Sequence, residues 1–181
     1  MATLLEDRAR PDFRDVYGRH ASAAATLDAA VRRVRLVGMT LGREELGGLR
    51  RMRVLVAELN ALALSGEADS MGADPSRRPR LEMLLLLFEE GRLYVRTAPL
   101  AGWDPDFTVF GREEPVTVML GPHWFERPYP HPGPAFGVVL DGEPARRAHA
   151  RFEGLWSGAH DLRRPVEELI REALRRTGAR A

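Results

Sequence analysis

Arg92-Leu-Tyr-Val-Arg-Thr-Ala98, then Phe107-Thr-Val-Phe110, then Val116-Thr-Val-Met-Leu120 before Gly121 are the runs whose reading decides the architecture of this chain. Each is short and rich in β-branched or aromatic residues, and the gaps Pro99–Asp106 and Gly111–Pro115 are short enough for hairpins. Just upstream, Leu81–Glu90 has the pattern of an apolar helix, and Gly91 supplies the left-handed position that ends one. A helix, a glycine, a strand and two further strands predict a mixed β-sheet flanked by helices, an α/β fold.

Working outward toward the amino terminus, Phe13, Val16, Tyr17, Ala24, Leu27, Ala30, Val31 and Val34 follow a three-to-four spacing, which predicts an amphipathic helix over Asp12–Arg33. A strand is expected at Val34–Leu41, a short helical connection at Glu44–Arg51 weakened by Gly47-Gly48, and a strand apolar on both faces at Met52–Leu59. Residues 65–80, rich in Gly, Ser, Asp, Pro and Arg, read as a long loop. Toward the carboxyl terminus, residues 121–134 hold five prolines in fourteen positions, which excludes a helix or a central strand there. A last strand at Ala135–Leu140, a helix at Pro144–His160 and an amphipathic helix opening at Pro165 complete the order. No internal repeat is present, and 181 residues with 44% hydrophobic content suit one domain, 1–181, around one substantial core.

Composition excludes whole classes of chemistry. The chain has no cysteine, so thiolate nucleophiles, disulfides and cysteine-based metal centres are absent. All 27 basic residues are arginine. That removes Schiff-base lysines, a pyridoxal linkage, a P-loop lysine and a lysine general base. No cofactor is implied. Glutamine is missing and asparagine occurs only at Asn60, a shortage of thermolabile amides that heat-adapted proteins share. No run has the length and apolarity of a membrane span, and Glu6-Asp7-Arg8-Ala9-Arg10 is unlike a secretory signal, so a soluble, cytoplasmic protein is expected.

The formal net charge is +1, unevenly spread: residues 8–53 carry eleven arginines against five acids, while residues 54–140 carry seven against twelve. A basic amino-terminal third can face phosphate, or can solvate helix surfaces and pair with acids.

The element order resembles a single phospholipase D-like domain. The likeness is carried by Leu27–Leu41, the Leu84–Arg96 helix, glycine and strand, the strand pair ending at Leu120-Gly121, and Phe152-Glu-Gly-Leu-Trp156, over about four-fifths of the chain. In that family the strand after the helix–Gly–strand unit bears His-x-Lys-x4-Asp, and the next ends in Gly-Ser-x-Asn. Here the histidine position falls at Asp104, the lysine position at Asp106 and the aspartate position at Gly111. The second motif falls at Gly121-Pro122-His123-Trp124, where only the glycine agrees. Family enzymes use the histidine as nucleophile to phosphorus and the lysine with asparagine to hold phosphoryl oxygens. A carboxylate at either place repels the phosphate it should bind. The resemblance therefore implies a scaffold without the family's catalytic residues, serving as a binding or regulatory module with nucleic acid or a protein as partner. Because single-domain members pair two copies, it also implies a homodimer.

Several constellations could carry a site. Asp104 and Asp106, with Glu113 and Glu114 nearby, could gather a divalent cation, although acids at a turn are common turn formers. His123, Glu126 and His131 lie on the proline-stiffened loop, which serves as a ligand site, a lid or a subunit contact. A rebuilt site from Asp104, Asp106 and His123 would make the chain a diverged phosphodiesterase or metal-dependent hydrolase. Arg50, Arg51 and Arg53, with Arg77, Arg78 and Arg80 in the long loop, are candidates for phosphate, with no aromatic residues interleaved for base stacking. His149 and His160, read on one helix about 16 Å apart, are too distant to share a metal. The serines sit in no nucleophile elbow.

Overall fold

The computed structural model describes residues 2–6, 10–36, 41–98, 106–111, 115–120 and 136–178. In chain order the elements are β1 (Ala2–Glu6), α1 (Arg10–Ala23), β2 (Thr26–Arg33), α2 (Arg43–Gly47), β3 (Arg51–Glu58), α3 (Ala61–Ala73) and α4 (Arg78–Glu89). They continue with β4 (Leu93–Thr97), β5 (Phe107–Gly111), β6 (Pro115–Leu120), β7 (Phe136–Asp141), α5 (Glu143–Ser157), β8 (His160–Asp161) and α6 (Arg163–Gly178). The strands form one sheet in the order β1-β7-β6-β5-β2-β3-β4-β8. Strands β2, β3 and β4 are mutually parallel, and every other pairing is antiparallel. The expected mixed α/β architecture is present.

Alternation along the central strands separates two cores. Leu27, Ala29 and Val31 on β2 and Met52, Val54 and Val56 on β3 pack with α1, α3, α4 and α6. Ala30 and Leu55 face the other way, where α5 contributes Ala145, Phe152 and Trp156. Asp28 and Arg53 share that second face by the same alternation.

Around the deciding stretch the expectations hold: β4, β5 and β6 coincide with the three quoted runs to within one or two residues. Gly91 takes φ +67°. The Gly91 and Arg92 amides close the end of α4 on the carbonyls of Phe88 and Leu87, so these otherwise orphaned acceptors are satisfied.

Elsewhere three expectations are corrected. The helix read over Asp12–Arg33 is two elements: α1 ends at Ala23, and Thr26–Arg33 is strand β2 rather than helix, with Val34–Leu36 outside any strand. Leu27, Ala30 and Val31 continue the helical spacing by coincidence, because five consecutive positions of a fully buried strand are buried whatever their period. Residues 65–80 are not a loop. Asn60 caps α3 by accepting the Ala63 amide at 3.0 Å, and Asp74 turns the chain into α4 by accepting the Ser76 amide at 2.8 Å. The small residues that read as loop let α6 lie close: a Cβ on Gly72 would sit 2.6 Å from Thr177 Oγ1. Finally, α5 stops at Ser157 and His160 belongs to edge strand β8, so His149 and His160 do not share a helix. The expected proline-rich loop at 121–134 lies outside the described residues.

Candidate functional site

The parallel strands β2, β3 and β4 direct their carboxyl ends to one edge of the sheet, where open α/β sheets bind ligands. Because β5 runs antiparallel to β2, with Ala30 opposite Phe107, the start of β5 lies beside the end of β2. Asp106 sits there, and its Oδ1 accepts the backbone N–H of Arg32 at 2.9 Å. One carboxylate oxygen thus satisfies an amide at a strand end. Next to it, Arg33 Nε meets Glu58 Oε2 at 2.9 Å, with both side chains more than half exposed. Arg35 pairs with Glu67 on α3. Leu62, in the first turn of α3, is 85% exposed at the same edge.

A second constellation lies under α5. Asp28 and Arg53 are direct neighbours across β2 and β3, and the guanidinium grips the carboxylate through Nε–Oδ1 at 2.7 Å and Nη2–Oδ2 at 2.6 Å. Arg53 also donates to Glu153 on α5, through Nη1 to Oε2 at 3.1 Å. The guanidinium lies 4.9 Å from the Phe152 ring and 5.2 Å from the Trp156 ring, which stack on each other. Arg96 approaches Trp156 at 4.7 Å and donates to its carbonyl at 2.9 Å. His149 Nε2 stands 3.2 Å from Glu153 Oε1 and 3.8 Å from Asp28 Oδ2. Burial opposes the charge on Arg53, but hydrogen bonds to Asp28 and Glu153 outweigh it and hold its pKa above the ordinary value. The hydrogen bond from Arg53 lowers the Glu153 pKa in turn, against a smaller desolvation effect.

Asp28, His149 and Glu153 place potential ligand atoms within 4.8 Å of one another. The donor set suits a divalent cation in type, but the Arg53 guanidinium already bridges the two carboxylates and supplies the positive charge they need. A resident side-chain cation does there what a metal would do, so the arrangement is a structural charge network joining α5 to the sheet.

No protein-family model and no curated protein matches the chain. Solved structures do match. NucT from Helicobacter pylori aligns with a TM-score of 0.54 at 10% identity, over 90% of this chain and 99% of its own. Nuc from Salmonella typhimurium, a phospholipase D family member, aligns at 0.53 with 13% identity, over 89% of this chain and 97% of its own. The chain has a phospholipase D-like fold. TrmBL2, an archaeal chromatin protein with a novel mode of DNA binding, also aligns, at 0.50 with 11% identity over 90% of this chain. The chain spans 55% of the length of TrmBL2.

Of the residues singled out from the sequence, Asp106 falls at the edge of the sheet where the parallel strands end. Asp104, His123, Glu126 and His131 lie outside the described residues. The arginines divide. Arg53 is buried and bound to two carboxylates, which removes it from the phosphate-binding candidates: a guanidinium 6% exposed cannot meet an external phosphate without breaking both pairs. Arg77 pairs with Asp74 at 3.3 Å, and Arg78 pairs with Glu82 at 2.8 Å while donating to the Gly72 carbonyl and Thr177 Oγ1 at 3.3 Å. Arg80 is also engaged. These three belong to helix α4 and its N-cap rather than to a loop, and they brace the molecule. Arg50 and Arg51 are exposed.

Sequence reasoning missed Asp28 and Glu153, and it weighed His149 against His160 instead of against them. The available signal was Asp28 itself: once Thr26–Arg33 is read as a buried strand, a carboxylate at its third position demands a cation, and Arg53 poses the matching question on β3.

Proposed function

We propose that this chain is a non-catalytic binding module on a phospholipase D-like scaffold, acting as a homodimer at nucleic acid. Asp106 carries the reading. At the position where the resemblance calls for a cation to hold phosphoryl oxygen, a carboxylate instead ties β5 to the end of β2 through the Arg32 amide. A phosphoryl oxygen brought within 4 Å of that carboxylate meets repulsion of about 4 kcal/mol at an effective dielectric of 20, where a lysine would attract by as much. The absence of lysine throughout the chain means that no neighbour of that type replaces it. The basic amino-terminal third and the fold's kinship with a DNA-binding chromatin protein support nucleic acid as the partner. No helix among the described residues is long and apolar enough to cross a membrane.

The test is turnover and binding by the same preparation. Incubation with bis(p-nitrophenyl) phosphate and with duplex DNA, in EDTA and then with Mg2+, Mn2+ or Zn2+, is expected to release no product, while the DNA shifts in a gel at low salt. Product formation lost on Asp106→Ala or His123→Ala would refute the non-catalytic reading and establish the alternative, a diverged hydrolase with a rebuilt site.

A further inference from the structure

Most arginines whose side chains are described are spoken for; Arg19, Arg50, Arg51 and Arg151 are exposed with no side-chain hydrogen bond or ion pair to a described residue, and of these only Arg50 and Arg51 adjoin in sequence. Among the described residues, ion pairs or hydrogen bonds engage Arg33, Arg35, Arg53, Arg77, Arg78, Arg92 and Arg96, and likewise the arginines of α6. Arg50 and Arg51 adjoin at the head of β3, both exposed, with no side-chain hydrogen bond or ion pair to a described residue. Arg19, one turn before the end of α1, is exposed and likewise uncommitted. Arg50 and Arg51 flank the point where the chain passes from α1 into β2, since the Ala25 carbonyl accepts the amides of both, at 2.8 and 3.4 Å.

We propose that Arg50 and Arg51 form a nucleic-acid phosphate clamp at the amino-terminal edge of the parallel strands. This surface is distinct from the edge that holds Asp106. Thr26 pairs with Arg51 and Arg33 with Glu58, so the two edges lie seven strand residues apart. At ~3.3 Å per residue that is about 23 Å. The proposal rests on the reading above that the chain acts at nucleic acid, and it names the surface and the part of the ligand that is gripped.

Three features make the place suitable. Its backbone is braced: Arg92 Nε donates to the Leu49 carbonyl at 2.7 Å and Nη2 to the Gly47 carbonyl at 2.9 Å, which fixes the turn leading into β3. Ligand contacts on a braced frame lose less entropy than contacts on a free loop. Next, Gly47 and Gly48 are exposed, and a Cβ on either would meet nothing within 4 Å, so the turn offers a side-chain-free shelf beside the two arginines. Lastly, Arg51 faces α5 with Arg53, and Glu153 there takes its hydrogen bonds from Arg53, so that Arg51 feels the carboxylate only through space and keeps its own donors for a ligand. Tyr17 and Trp156 are buried, so neither stacks on a base here, and the contact proposed is to backbone phosphate, which carries no sequence information.

The experiment is fluorescence anisotropy of a labelled random-sequence DNA duplex of roughly 25 base pairs, a length of about two turns that covers a standard protein footprint. It is titrated with the full chain at several NaCl concentrations between about 50 and 200 mM, the range over which phosphate contacts are read. Proteins compared are the wild type, Arg50→Ala/Arg51→Ala, Arg50→Lys/Arg51→Lys, and Arg164→Ala/Arg175→Ala, which removes equal charge from α6. Loss of two phosphate contacts lowers the slope of log K against log salt by about 1.8 and makes the fall in affinity across that range about 12-fold shallower. That change is expected in the alanine pair alone, with the lysine pair close to wild type. A wild type that binds while the alanine pair keeps the full slope, or the α6 control losing as much, overturns the clamp and leaves the nucleic-acid reading standing. No binding by the wild type at the lowest salt overturns that reading and the clamp with it.

Discussion

Replacing Asp28 with alanine isolates the energetic weight of the network under α5. The side chains of Asp28 and Arg53 are only 3% and 8% exposed, so neither charge can regain water when its partner is removed. Breaking such a pair from one side costs about 3–5 kcal/mol, because the remaining charge stays buried. Here the remaining guanidinium keeps Glu153, which is 45% exposed, and the faces of Phe152 and Trp156. Each ring contact is worth about 0.5–2 kcal/mol, which moves the expected loss to the lower end, about 3 kcal/mol. For a chain of this size that corresponds to a fall of about 6–12 °C in Tm. Urea unfolding followed by circular dichroism, with a thermal melt alongside, measures it. Removing both charges, as Asp28→Leu/Arg53→Met, is expected to recover most of the loss, since an apolar pair of similar volume avoids the desolvation cost altogether. An Asp28→Ala loss within about 0.5 kcal/mol, the range of ordinary surface substitutions, would refute the network as a buried one. A double variant as damaged as the two single changes summed would refute the coupling between the two residues.

Two further outcomes follow from the packing and from the shifted groups. Gly72→Ala gains helix propensity but drives its new methyl into Thr177, whose Oγ1 is bound to the Ala173 carbonyl at 2.9 Å, so a net loss of about 1 kcal/mol is expected in urea. Recovery on adding Thr177→Ala checks the cause, and a Gly72→Ala protein more stable than wild type would contradict the close approach of α3 and α6. For Glu153, whose pKa the Arg53 hydrogen bond depresses, the unfolded chain takes up the proton first, so its stabilisation is complete above about 4.5 and drains as pH falls through the lower folded value. Burial likewise lowers the His20 pKa, Asp141 opposing and Arg19 reinforcing, so stability is lost as pH falls from 6.5 through its folded value. Glu153→Gln should flatten the acid limb of a stability–pH curve and His20→Gln the limb just below 6.5; unchanged limbs would contradict these environments.

By itself the sequence determined the runs whose character is local and the chemistry that is absent. Strands β4 to β6 and the Gly91 stop are legible because short apolar runs between turn residues, and a glycine after an apolar helix, carry their cause within a few positions. The missing lysine and cysteine need no structure at all. Tertiary structure decided whether Thr26–Arg33 is helix or strand, because the run is flanked by β3 and β5 and covered on both faces, so Leu27–Val31 is buried at five consecutive positions, and continuous burial has no period to read. It also decided that Ala61–Ala73 is a helix, since Gly72 lies against Thr177 of α6, about a hundred residues later in the chain. The fate of each arginine was decided there too. Arg51 and Arg53 stand two residues apart on the same face of β3, yet one is exposed and the other is enclosed, because strand register sets Asp28 opposite Arg53 and the docking of α5 gives Arg53 the hydrogen bonds to Glu153. Such pairings depend on register and helix placement across 25 and 100 residues of chain, information that no local pattern holds.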